Sequence, residues 1–111
     1  MSIPVPVAEL PTALAPYPWG YLVTVRDDLR AHSLAVPTDL RDGVLHADGG
    51  RTTCANIAQR PEVTMVFPHP SPGEYTLIVD GTAAVTAAGS VVMVPTSAIL
   101  HRPAIVDPSA D

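Results

Sequence analysis

Gly49-Gly50-Arg51-Thr52-Thr53 is the segment of this sequence whose residue types and spacing best suit the binding of an anion. It is followed by Cys54, Ile57 and Ala58, whose i, i+3, i+4 spacing predicts a short helix over Arg51–Arg60 with one apolar stripe. The first-turn amides of a helix have no intrahelical acceptor and carry partial positive charge. An anion placed there would be held by backbone N–H groups, with Arg51 and the hydroxyls of Thr52 and Thr53 as further donors. The competing reading is structural, because threonine at a helix start is an ordinary cap.

Other reactive side chains point to less. His32, His46, His69 and His101 are far apart and show no i, i+4 pairing, so no metal site is expected. Cys54 lies near a helix start, where a thiol can be activated, but it also belongs to the apolar stripe and reads as a small buried hydrophobe. Asp27-Asp28 and Asp48 are better explained as turn residues than as paired catalytic carboxylates. Trp19 and Tyr21 have the shape to stack on a flat ring or to seal a barrel end or an interface. No residue stands out as a general acid or base.

Composition removes whole classes of chemistry. Eleven acidic residues oppose six basic ones for a net charge of −5, and every base is arginine. That balance argues against nucleic-acid binding. Without lysine there can be neither a Schiff base with pyridoxal phosphate nor the lysine of a phosphate-binding P-loop. The single cysteine allows no internal disulfide and fits a reducing cytoplasm. The first residues lack a signal-peptide pattern, and no apolar run approaches the roughly 20 residues that span a bilayer. A cytoplasmic protein without membrane contact is expected.

The elements that must position these groups are mostly strands. Hydrophobic residues make up 47% of the chain, but aromatics only 5%, so the core is built from Val, Ala, Leu and Ile, which favours sheets. Residues 1–18 hold five of the thirteen prolines; they read as an N-terminal arm that cannot be a central strand, with at most a helical turn around Ala8–Ala15. From Trp19 the two-residue period of a half-buried strand begins, with Tyr21, Val23 and Val25 on one face. Further strands are expected over Ala31–Pro37, Val44–Asp48, Val63–Phe67, Tyr75–Val85 and Val91–Val94. Gly81 inside the long fifth strand suggests a bend. Pro61 closes the helix, and Pro95 ends the sixth strand, with a helical turn over Thr96–Leu100. The expected fold is mainly β: a six-stranded antiparallel split β-barrel with one short helix after the third strand. It would span residues 19–103 as one domain, followed by a flexible tail over residues 104–111.

The order of these segments resembles the pyridoxamine 5'-phosphate oxidase-like split barrels, whose relatives include users of the deazaflavin F420. The resemblance rests on Gly20–Val25, on Arg51-Thr52-Thr53 with Asn56-Ile57 and Pro61–Thr64, and on Tyr75–Ala83. It implies a homodimer with FMN or F420 in a groove between subunits. By that likeness the cofactor lies across the second and third strands, with its phosphate at Arg51, Thr52 and Thr53. Ser33, Ala35 and Asn56 complete the implied site. The chain departs from the family pattern where lysine is usual, at Thr53, and no basic residue occurs between Ser33 and Thr38. That departure supports an alternative, a non-enzymatic split barrel that has lost the flavin site and binds another small ligand or a partner. Haem-binding relatives suggest a third role, which would call on His32 or His101.

Overall fold

The computed structural model describes residues 1–104. β1 (Ser2–Val5) leads into a 3-10 turn and a single-turn helix α1 (Leu10–Ala13). Pro11 sits in the first turn of α1, where its missing N–H costs nothing. The chain continues as β2 (Trp19–Val25), β3 (Ala31–Pro37), β4 (Leu40–Arg41), β5 (Val44–Ala47) and α2 (Gly50–Gln59), then β6 (Glu62–Phe67), β7 (Thr76–Val85) and β8 (Val91–His101).

These strands form one curled antiparallel sheet in the order β3-β2-β6-β7-β8-β5-β4, with β1 paired to β8. Eight strands are present among the described residues rather than the expected six. The additions are β1 and the two-residue β4. A second correction concerns Thr96–Leu100, which is strand, not a helical turn. β8 runs on through Pro95 because that residue lies opposite Gly81, beside a break in the β7–β8 register at Asp80/Gly81. The other edge of β8 pairs with β5 up to Met93 and with β1 only from Ala98, so Pro95 falls in the gap. The bend expected at Gly81 coincides with this bulge.

Alternation sorts the side chains. Leu22, Thr24, Val36, Leu45, Met65, Phe67, Leu77, Val79 and Met93 point into the core. The arm contributes to the same core, for Leu10, Leu14 and Tyr17 are all buried. β3 and β4, the two ends of the sheet path, are consecutive in the chain and joined only by Thr38-Asp39. The Thr38 N–H donates to the Pro18 carbonyl at 3.0 Å, and the His46 N–H donates to the Asp39 carbonyl at 2.9 Å. This short link crosses the open seam of the barrel.

Candidate functional site

α2 is seated on the inner side of the sheet by polar contacts at several points. The Asn56 amide donates to Thr24 Oγ1 at 3.0 Å, with both side chains buried. Near its C-terminal end, Arg60 donates from Nε to the Val25 carbonyl at 3.0 Å and pairs with Asp27 at 2.5 Å. The Cys54 thiol donates to the Gly89 carbonyl at 3.4 Å. Asp28 pairs with Arg26 at 3.0 Å and accepts the Arg30 N–H, so Asp27 and Asp28 serve different partners within the β2–β3 turn.

The start of α2 is bare. Gly49 precedes it and supplies no side-chain cap. A Cβ at Gly49 would come within 2.8 Å of Thr53 Cγ2 and 2.9 Å of Val91 Cγ2, so glycine is what lets the helix start press against β8. Gly50 adopts φ +70, the left-handed region that favours glycine, and a Cβ there would meet nothing within 4 Å. The first-turn amides thus have no side-chain acceptor, and open space lies beside Gly50.

A groove of about 210 Å³ runs along the seam. Pro37 at the end of β3, Asp39 and Arg41 across the link, His46 and Ala47 of β5, Asp48 and Ser90 line it. Arg41 is tied to Asp39 at 3.2 Å, and the Ser90 hydroxyl donates to Asp48 at 3.3 Å. Asp48, which lines the groove, precedes Arg51 by three residues in the chain.

The residues singled out from sequence fall into three groups. Arg51 and Thr52 are exposed on the first turn of α2, and among the described residues no carboxylate pairs with Arg51. Thr53 and Asn56 are buried beneath the helix; Asn56 is spent on Thr24, and Thr53 Oγ1 has no partner. They position the helix and offer no surface to a ligand. Ser33 and Ala35 lie exposed on β3, opposite Val23 and Tyr21, on the strand whose last residue, Pro37, enters the groove. His32 and His101 stand on β3 and β8, separated by β2, β6 and β7 in the sheet. Asp39, Arg41, His46 and Asp48 were not singled out as site residues. Their grouping depends on the seam, which joins two strand ends and which no local pattern announces.

No family model matches the chain. An uncharacterized protein of Mycobacterium bovis and another of Mycobacterium tuberculosis are each 39% identical to it, the match covering 93% of this chain and 84% of theirs. The chain belongs to this mycobacterial family. Among solved structures, an F420 reductase superposes with a TM-score of 0.64 at 24% identity, covering 78% of this chain and 93% of its own. A Listeria innocua protein assigned to the pyridoxamine 5'-phosphate oxidases gives 0.67 at 18% identity, covering 85% and 96%. An FAD-binding protein of Mycobacterium smegmatis gives 0.65 at 16% identity, covering 92% and 100%. The fold is the pyridoxamine 5'-phosphate oxidase-like split barrel.

On the outside of this split barrel, strand register lines up a single apolar row. Ala35, Tyr21, Val66, Ile78, Ile99 and Pro4 are successive cross-strand neighbours. Trp19 and Tyr21 stand beside each other at this face, 38% and 40% exposed, with ring centroids 5.0 Å apart in edge-to-face contact. The small side chains of Ala35 and Ser33 lie exposed beside these rings on β3. Among the described residues, no helix is long and apolar enough to cross a membrane.

Proposed function

We propose that this split barrel binds FMN or F420 in the seam groove and acts as a flavin- or deazaflavin-dependent oxidoreductase. The observation that carries the reading is the bare start of α2, where among the described residues no side chain caps the first-turn amides and no carboxylate pairs with Arg51. The residue types there suit a single phosphate: first-turn backbone donors, Arg51 and the exposed Thr52 hydroxyl follow Gly50, beside which lies open space. A more highly charged tail would meet Asp39 and Asp48 and find Arg41 already engaged. The names of the neighbouring F420 reductase and FAD-binding protein support a cofactor of this class.

Ser33 and Ala35, beside Tyr21 and Trp19, offer a flat ring its resting surface. The apolar row on the same face supports a homodimer in which a second copy covers the ring and excludes water. When bound, the cofactor supplies hydride or electron transfer. The chain's part is then to hold the phosphate, orient the ring and keep solvent away. Specificity for the substrate comes from the shape of the groove and from the Asp39, His46 and Asp48 side chains that line it.

A second reading has its own observation. Thr53, which stands where related barrels usually place a lysine, is fully buried, and two carboxylates line the groove. These support a barrel that has given up the flavin and serves as a small-ligand or interaction module. The first reading requires that protein purified without added cofactor carries FMN or F420, or takes up either at micromolar concentration. Failure of both leaves the second.

A further inference from the structure

At the other end of the barrel, four chemically distinctive side chains share one small cavity. It measures about 270 Å³, and Tyr17, His69, Tyr75 and Glu74 form its polar and aromatic wall, with Ala13 and Leu100 as apolar floor. Leu100 and the groove residue Ser90 flank opposite ends of β8, a separation of roughly 30 Å along an extended strand. The cavity is therefore independent of the seam.

Its wall is held in place before any ligand arrives. Tyr17 donates its hydroxyl to the Tyr75 carbonyl at 2.7 Å and packs edge-on against Phe67. The His69 ring stands at 85° to the Tyr17 ring, centroids 5.3 Å apart. His69 Nδ1 accepts the Ser71 N–H at 3.0 Å, which fixes both its orientation and its tautomer. Glu74 is exposed, and among the described residues no cation pairs with it. Its charge is felt locally: the Tyr17 hydroxyl is pushed above the ordinary tyrosine range, first by burial and then by Glu74. Arg102 lies 4.4 Å from the centre of the Tyr75 ring, a cation–π contact within the chain that a ligand cation must share or displace.

The geometry points to a binding site for a compact organic ammonium ion, held by the Tyr75 and His69 rings and by the Glu74 carboxylate, with the buried Tyr17 ring bracing His69 from behind. Aromatic rings attract an onium charge through their quadrupoles, and a carboxylate at the rim supplies the counter-charge. Several π-bearing walls suit a methylated ammonium, which is weakly hydrated and sheds water at little cost. The volume admits a molecule of about the size of choline. Anions are turned away by Glu74, and neutral molecules gain only contact with Ala13 and Leu100.

The test uses the full chain and two probes, choline and its uncharged carbon isostere dimethylbutanol, titrated at constant ionic strength. Binding is read from amide shifts in two-dimensional NMR. Choline is expected to shift the Tyr17, His69, Glu74 and Tyr75 amides saturably, with the isostere at least about tenfold weaker. Glu74→Gln, an exposed substitution that leaves the fold intact, should weaken choline severalfold and leave the isostere unchanged. Equal binding of the two probes, no saturable shift from choline, or a Glu74→Gln variant that binds choline as well as the wild type would each overturn the proposal.

Discussion

Asn56 reaches from the middle of α2 to the Thr24 hydroxyl of β2, 3.0 Å away, and both side chains are sealed inside the barrel. Together with the Arg60 and Cys54 contacts it seats the helix, and through the helix it positions Arg51. Thr24→Val strips the acceptor and leaves a buried amide unpaired, a loss of about 1–3 kcal/mol. Asn56→Leu alone should cost a similar amount. The double variant should lose clearly less than the sum, because neither partner is then left unpaired. Denaturant melts of the four proteins check this; strict additivity would mean that the two groups do not depend on each other.

Gly81 meets its neighbours without room for a side chain. A Cβ there would run into Met93 Sδ and the Val94 carbonyl oxygen, and a carbonyl in a sheet cannot swing away. Gly81→Ala should therefore destabilise the protein by about 1–3 kcal/mol or more, as overpacked cores do. The expected reading is a lower denaturation midpoint with an unchanged slope. A neutral result would show that the bulge at Asp80/Gly81 yields easily.

Burial, with Glu74 as the lesser cause, raises the Tyr17 hydroxyl above its ordinary value of about 10. The folded protein thus holds this proton more tightly than the unfolded chain does. The associated stability is fully present below about pH 10 and is lost as pH rises from there through the folded-state value. Tyr17→Phe removes both this term and the hydrogen bond to the Tyr75 carbonyl, so the variant is less stable at neutral pH. Its melting temperature should then fall less steeply than the wild type's above pH 10. Parallel curves would contradict the assignment.

Much of the fold was legible because alternation is a strong signal. Trp19–Val25 and Ala31–Pro37 face water on one side and core on the other, and their period shows it. Proline caused the misreading. Pro95 looked like a stop, yet the bulge and the gap between β5 and β1 leave it no ladder to break. Pro4 masked β1, which an edge position tolerates. The helix expected over Arg51–Arg60 was visible from the Cys54, Ile57, Ala58 stripe, but no threonine caps it; it starts at Gly50 behind Gly49. What no local pattern revealed was that Thr53 and Asn56 face inward, or that Asp39, Arg41 and His46 meet across the seam. Those depend on how the sheet curls, which is set by contacts between residues distant in sequence.

The central claim is that the bare start of α2 holds a cofactor phosphate. The most direct test is a fluorescence titration of the protein with FMN and with F420, repeated for Arg51→Ala. Arg51 is exposed, and among the described residues no carboxylate pairs with it, so its removal leaves the fold intact. Saturable binding of one cofactor is expected in the wild type, with about tenfold weaker binding in the variant, the loss expected for one charge-assisted contact. Equal affinity in both proteins would contradict the assigned site. Absence of binding by either cofactor would contradict the oxidoreductase reading itself.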